Sequence, residues 1–262
     1  MKMTGNTVLV TGGGSGIGRA LAEEFAKRGN EVVISGRRQE ALDEVVAATP
    51  GVTAKVLDIA DAADVKRFAA ELVREFPKLN VVIQNAGMMK NEDLLEDGPE
   101  VAEDTITTNL LGPIRLTAAL MPQLKAQESA ALLTVTSGIA FVPMAPNPSY
   151  GATKAGIHSW TQSLRFQAEG TGLEVIELVP PYTQTGLTGE HQAKDPNAMP
   201  LDEYIAETME LLEKGAEREN EGEILVERVK MQRYAERNDK LAEVMRQRSG
   251  PRMQAMREAR KA

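Results

Sequence analysis

Val8-Leu9-Val10-Thr11-Gly12-Gly13-Gly14-Ser15-Gly16-Ile17-Gly18 carries a short apolar run into a glycine-rich turn, and the amphipathic stretch Arg19-Ala-Leu-Ala-Glu-Glu-Phe25 follows it. The first part reads as a buried strand and the last as a helix. Glycine between them answers three needs: a sharp turn at positive φ, a backbone that a pyrophosphate can approach with no Cβ in its path, and close packing of helix on strand. The helix N-terminus then faces the anion. Gly12, Gly14, Ser15, Gly16, Ile17 and Gly18 are the expected dinucleotide-binding residues. The alternative is a glycine turn with a structural role only, and the strand before and helix after favour the nucleotide.

Working outward, short runs rich in β-branched residues alternate with longer amphipathic ones. Thr7–Val10, Val32–Ser35, Thr53–Leu57, Val81–Gln84, Ala131–Thr136, Glu174–Val179 and Glu223–Val226 read as strands. Strand-helix alternation predicts parallel strands linked by helical crossovers, and continuous apolar runs predict strands covered on both faces. The expected fold is a doubly wound parallel (Rossmann) sheet of about seven strands in a single α/β domain, residues 1–228. Residues 229–262 form a C-terminal extension: a charged helix near Lys230–Arg248, with Leu241, Val244 and Met245 as its apolar stripe, and a basic, solvated tail. Pro180 to Pro200 is the longest irregular piece, of a length associated with lids and binding segments.

Composition narrows the chemistry. The chain has 262 residues, 42% hydrophobic and 26% charged, with no apolar stretch near the roughly 20 residues that span a bilayer. It has no cysteine and two histidines, His158 and His191, which removes disulfides, thiolate nucleophiles and any convincing metal cluster. A formal charge of −8 argues against a nucleic-acid binder. The N-terminus runs straight into a strand without the apolar core of a signal peptide, so a cytoplasmic enzyme is expected.

The second strand ends in Gly36-Arg37-Arg38, where a carboxylate would bind an adenosine ribose diol and an arginine an added phosphate. NADP(H) is therefore the preferred cofactor, with NAD(H) as the alternative. Further on comes Thr136-Ser137-(x12)-Tyr150-Gly-Ala-Thr-Lys154. If Ser149–Gly170 is helical, Tyr150 and Lys154 share one face a turn apart, so an ammonium can sit beneath a phenol and favour its phenolate. Ser137, at the end of the preceding strand, could hydrogen-bond the oxygen whose proton Tyr150 gives or takes. That chemistry interconverts a carbonyl and an alcohol. Ser149 reads as an N-cap, His158 as a core or interface histidine in preference to a proton relay, and Trp160 and Phe166 as residues that pack against the sheet or a partner subunit.

These ordered motifs resemble the short-chain dehydrogenase/reductase family over residues 5–227. Thr11-Gly12-x3-Gly16-Ile17-Gly18 matches that family's cofactor turn, Asp58 in Leu57-Asp58-Ile59 its adenine contact, and Asn85-Ala86-Gly87 its central-strand motif. Asn109, Ser137, Tyr150 and Lys154 match its catalytic positions. The resemblance implies that Tyr150 is the general acid/base and Ser137 orients the substrate oxygen. It implies that Lys154 binds the nicotinamide ribose and that Asn109 holds a water through its carbonyl. It also implies a small-molecule carbonyl or alcohol substrate and a homodimer or homotetramer built through the helices near 102–127 and 149–170.

The resemblance also implies cofactor contacts from Pro180, Thr183 and Thr185 in the loop that holds the carboxamide; one departure there is Pro180-Pro181-Tyr182-Thr183-Gln184-Thr185, where the family commonly has Pro-Gly, and a proline fixes φ and removes an N–H, which sets that loop differently. With the acidic helix and the Lys230–Asn238 tail, this version resembles the branch associated with D-alanyl lipoteichoic acid operons. Phe141, Val142, Met144, Tyr182, Leu187 and His191 are the candidate substrate-pocket residues. A non-catalytic NADP-sensing module, and an epimerase or dehydratase that retains its cofactor, are the competing readings.

Overall fold

Successive residues of a strand point to opposite faces, and here both faces are apolar. Val8 and Val10, Val32 and Ile34, Val81 and Ile83, and Ala131 and Leu133 enter one buried layer, whereas Leu9, Val33, Val82 and Leu132 enter the other. In the computed structural model, which describes residues 1–215 and 222–259, these runs are β1 (Thr7–Thr11), β2 (Glu31–Gly36), β3 (Val52–Val56), β4 (Leu79–Gln84), β5 (Ala130–Val135), β6 (Leu173–Val179) and β7 (Glu223–Leu225). They form a single parallel sheet in the order β3-β2-β1-β4-β5-β6-β7. The order reverses between β1 and β4, and ligands of such sheets sit beyond the carboxyl ends of the strands at that point.

The helices are α1 (Gly16–Lys27), α2 (Gln39–Ala48), α3 (Ala62–Glu75), α4 (Glu100–Ile106), α5 (Gly112–Lys125), α6 (Pro148–Gln167), α7 (Glu190–Ala193), α8 (Leu201–Lys214), α9 (Lys230–Arg233) and α10 (Leu241–Ala259). One layer is closed by Leu21 and Phe25 of α1, Leu42 and Val45 of α2, and Tyr204, Ile205 and Met209 of α8. The other is closed by Phe68 and Leu72 of α3, Leu116 and Leu120 of α5, and the half-buried Trp160 of α6. Phe166 does not pack on the sheet: it is 74% exposed at the end of α6. A π turn at Thr107–Leu111 joins α4 to α5.

The C-terminal segment differs from the expectation. In place of one helix over Lys230–Arg248, the short α9 ends in turns where Asp239 adopts a left-handed φ of 56°, a conformation short polar residues tolerate. The chain then restarts as α10 and runs past Gly250-Pro251, although an interior proline removes one helical hydrogen bond and crowds the carbonyl four residues before it. Nor is the start of the tail simply solvated. Val244 is buried against Val142 and Ala235, and the buried Ser249 hydroxyl accepts from the Ala145 N–H at 3.0 Å. Residues 260–262 of that tail lie outside the described residues.

Candidate active site

The glycine turn is held against the end of β4 by one threonine. Thr11 Oγ1 accepts from the N–H groups of Asn85 and Ala86, both at 3.0 Å, and Asn85 Nδ2 donates to the carbonyls of Thr11 and Gly12 at 3.0 and 3.3 Å. Side chains are excluded there. Gly12 sits at φ +66°, and a Cβ on Gly18 would lie 2.3 Å from Asn85 Nδ2 and 2.4 Å from the Gly12 carbonyl. The resulting groove is floored by Gly12, Gly14, Ser15, Ala86 and Gly87, and is walled at its outer end by Arg37, Arg38, Leu57 and Ile59. From Gly16, Ile17 and Asn85 it continues to Tyr150, Lys154, Pro180 and Thr185. A bare backbone floor at a helix N-terminus, with cations at one end and a phenol at the other, fits an extended dinucleotide. Asp58 stands apart from the lining residues; its carboxylate accepts from the Ala60 N–H at 3.0 Å, fixing the turn that presents Leu57 and Ile59. Arg37 and Arg38 are exposed and make no ion pair with a described residue.

At the other end, Ser137 ends β5 and caps a short 3₁₀ turn, its hydroxyl accepting from the Ile139 N–H at 3.3 Å. Tyr150 and Lys154 lie on the inner face of α6, both almost fully buried. Lys154 Nζ donates to the Val135 carbonyl at 2.7 Å and stands 5.5 Å from the Tyr150 ring centre. Burial pushes the phenol up to about 12, and a hydrogen bond with Ser137 opposes that rise. Burial likewise pushes the Lys154 ammonium down to about 8, with the negative charge of Glu177 acting against it. In the protein alone, therefore, desolvation dominates the phenol and not the cation-driven lowering that the spacing suggests.

Asn109 lies in the π turn behind the site. Its amide grips Met88 from both sides, accepting from the N–H and donating to the carbonyl, each at 2.8 Å. It thereby holds the chain that follows Gly87. The helix carrying Tyr150 begins one residue before Ser149, with Asn147 at the cap position. Ser149 is not the N-cap: its N–H and hydroxyl donate to the Glu92 carboxylate at 3.2 and 2.6 Å, so the cap comes from a distant acid.

Above Ser137 and Tyr150 is a cleft lined by Ile17, Met89, Ile139, Tyr182, Leu187, Gln232 and Arg248. Thr183 and Thr185 line it too, Thr183 donating its hydroxyl to the Pro181 carbonyl at 3.0 Å. His191 borders an outer cavity with Tyr182 and Ala255. Of the other expected pocket residues, Met144 is buried beneath the cleft with Ile139 and Tyr150. Phe141 and Val142 face away. The 3₁₀ turn after Ser137 rotates Phe141 onto the His158 ring, 4.7 Å between centres, and Val142 under α10.

The family profile described as short chain dehydrogenase matches residues 6–196. The chain belongs to that family. It is 39% identical over 244 residues to the uncharacterized oxidoreductase DltE of Bacillus subtilis, covering 91% of this chain and 95% of that one. Among solved structures, a short-chain dehydrogenase from Sphingobium yanoikuyae in complex with NADPH superposes with a TM-score of 0.73 at 30% identity, covering 80% of this chain and 84% of that one. One from Burkholderia phymatum in complex with NAD gives 0.80 at 20% identity, over 92% and 96%. This short-chain dehydrogenase is thus an oxidoreductase of a family whose members use nicotinamide dinucleotides. No helix among its described residues is long and apolar enough to cross a membrane.

Behind Lys154 the structure reveals a charge network that motif reading misses. Glu177 of β6 is fully buried; its carboxylate accepts from Thr136 Oγ1 at 2.7 Å and lies 2.9 Å from His158 Nδ1. Glu223 of β7 pairs with Arg233 of α9 at 2.7 and 3.0 Å. Ligand atoms of His158, Glu177 and Glu223 gather within 4.8 Å, yet Lys154 and Arg233 already supply positive charge to both carboxylates. The sequence signal was available: Glu177 is an acid in the run Leu173-Glu-Val-Ile-Glu-Leu-Val179, a strand otherwise suited to a buried position.

Proposed function

We propose that this dehydrogenase is NADP(H)-dependent and interconverts a ketone or aldehyde with the corresponding alcohol, using Tyr150 as general acid/base. The observation that carries the reading is the meeting of Ser137, Tyr150 and Lys154 at the inner end of the glycine-floored groove. When bound, NADPH supplies the hydride that goes to the carbonyl carbon. The Tyr150 hydroxyl gives the proton that goes to the carbonyl oxygen, while Ser137 donates a hydrogen bond to the same oxygen and orients it. Oxidation runs the same transfers backwards, with the phenolate as base. Lys154 holds positive charge beside the phenol and would bind the ribose of the nicotinamide cofactor, and Asn109 keeps the Met88 segment in place. A panel of carbonyl compounds assayed with both cofactors tests the reaction. Net NADPH consumption separates it from a rearrangement in which the cofactor is retained.

The preference for NADP(H) rests on Arg37 and Arg38 at the groove's outer end, where no carboxylate lines the wall among the described residues. A charge-assisted bond to a phosphate contributes about 1.5–3 kcal/mol, or roughly tenfold to a hundredfold in affinity. Arg37→Ala should therefore weaken NADPH at least about tenfold and NADH little, by titration of intrinsic fluorescence or by calorimetry. Equal weakening of both would remove the preference. A homo-oligomer belongs to the same reading: Ile106, Leu111 and Phe166 are exposed in the long helical segments. Light scattering should show a dimer or tetramer, and a monomer at high micromolar concentration would count against it.

A further inference from the structure

We propose that Glu92 is a positioning residue for the reaction: by capping α6 it fixes the first helical turn, and with it the Tyr150 phenol, against the wall of the substrate cleft; this rests on the carbonyl-alcohol reading above. Tyr150 is the third residue of α6, after Pro148 and Ser149. The first turn is the part of a helix whose N–H groups lack partners within the helix, so a phenol placed there is only as fixed as the cap. Pro148 has no N–H to satisfy, and Asn147 at the cap position makes no side-chain cap bond. The N–H and the hydroxyl of Ser149 donate instead to the two oxygens of Glu92. That residue is 5% exposed. A charge buried to this degree is costly unless it is met, and the partial positive charge of the helix N-terminus meets it.

The cap also joins two segments that a local serine or aspartate would leave separate. The Glu92 N–H donates to the Pro146 carbonyl at 3.0 Å, and Asn147 Nδ2 donates to the Lys90 carbonyl and to Asn91 Oδ1 at 2.8 and 3.0 Å. At the other end of this strap, Asn109 holds Met88 and donates from the same Nδ2 to Thr153 Oγ1 at 3.3 Å. The Thr153 hydroxyl in turn donates to the Tyr150 carbonyl at 2.8 Å. Residues Met88 to Glu92 are thus bonded at both ends to the start of α6. Between the two attachments, Met89 packs against the cluster of Ile139, Met144 and Tyr150 and lines the cleft. A substrate seated on that wall therefore bears on the phenol, and the cap decides whether the phenol yields. Proton transfer needs the hydroxyl within hydrogen-bond reach of the carbonyl oxygen, and a misplacement of about 1 Å costs on the order of 100-fold in rate.

The test is a double-mutant cycle in the full chain, with NADPH, an active carbonyl substrate and enzyme in excess, so that slow single turnovers are measurable. Glu92→Ala alone should lower the rate by about 10–100-fold, while NADPH affinity stays nearly unchanged and reports an intact groove. In the Tyr150→Phe background the same substitution should lower the residual rate by less than about threefold, because no phenol is left to misplace. Equal losses in the two backgrounds, or a lowered melting temperature with an unchanged rate, would make Glu92 a residue of the fold alone and overturn the proposal. Glu92→Gln guards against a variant that does not fold. Its amide oxygen replaces one of the two oxygens that Ser149 uses, so it should keep part of the rate lost in Glu92→Ala, and its own loss should again shrink in Tyr150→Phe. An unchanged rate in Glu92→Gln, or a loss equal in both backgrounds, overturns the proposal as well. Full turnover in Tyr150→Phe alone removes the carbonyl-alcohol role of the phenol and this inference with it. A strongly slowed Tyr150→Phe, with equal losses from Glu92→Ala in both backgrounds, removes this inference and leaves the reductase reading standing.

Discussion

Replacing Tyr150 with phenylalanine should lower turnover by about 10²–10⁴-fold, the range contributed by a positioned general acid, while leaving NADPH affinity nearly unchanged. The substitution removes one oxygen from a side chain that is only 7% exposed, and the ring keeps its packing on Ile139 and Met144. Lost activity would therefore not reflect lost structure, and a melting temperature close to that of the parent checks this. Steady-state rates with an active carbonyl substrate, beside fluorescence titration of NADPH, form the experiment. Unchanged turnover would remove Tyr150 from its role.

The same phenol sets the sign of the pH dependence. Its value in the protein alone is pushed up to about 12, so the neutral acid needed for reduction is present throughout the physiological range. The phenolate needed for oxidation is scarce there. Oxidation should accelerate with rising pH, by roughly tenfold per unit while the phenol is mostly protonated. Reduction should instead fall as pH rises through about 8, where Lys154 loses its charge. Stability moves the other way. The Lys154 ammonium is held below its ordinary 10.5 when folded, so between about 8 and 10.5 the unfolded chain binds more protons and this group makes folding more favourable as pH climbs.

Much of this was readable in the sequence because it depends on local rules. The β1 turn, the alternation of strands and helices and the turn-spaced Tyr150 and Lys154 are each fixed by residues close together along the chain, and all seven strands lie within two residues of their expected limits. Features that depend on distant partners were not legible. Ser149 looked like a cap because nothing local announces Glu92. Phe141 and Val142 looked like pocket residues because they follow Ser137, yet a 3₁₀ turn of three residues redirects both. Arg248 looked like part of a solvated tail, since its placement in the cleft follows from the docking of α10 on Val142 and Ala145. Glu177 shows in the sequence as an acid inside an apolar strand, but its partners do not: they arrive from the end of β5 and from α6, and none is adjacent in sequence.

Glu177→Gln should weaken both stability and catalysis, by an electrostatic route. The carboxylate opposes the desolvation that pulls Lys154 down to about 8, so without it the ammonium should lose its proton at still lower pH. The alkaline limb of the reduction profile should then move toward acid, cutting activity near pH 8 more than near pH 6. Glutamine keeps the volume and an acceptor for Thr136, which separates lost charge from lost packing. Removing one partner of a buried ion pair costs about 3–5 kcal/mol when nothing replaces it, and the retained acceptor should hold the cost to roughly 1–3 kcal/mol, the range for a buried polar group left partly unpaired. For a chain of this size that lowers the melting temperature by about 2–4 °C per kcal/mol. Lys154 and His158 of α6, Thr136 after β5, Glu223 of β7 and Arg233 of α9 all face the carboxylate. Removing the His158 imidazole should leave the alkaline limb nearer its parent position than removing the Glu177 charge does. A Glu177→Gln enzyme with a lowered melting temperature and an unshifted pH profile would make the glutamate a structural residue alone, whereas a shifted limb largely restored in Glu177→Asp would assign it the task of keeping Lys154 charged.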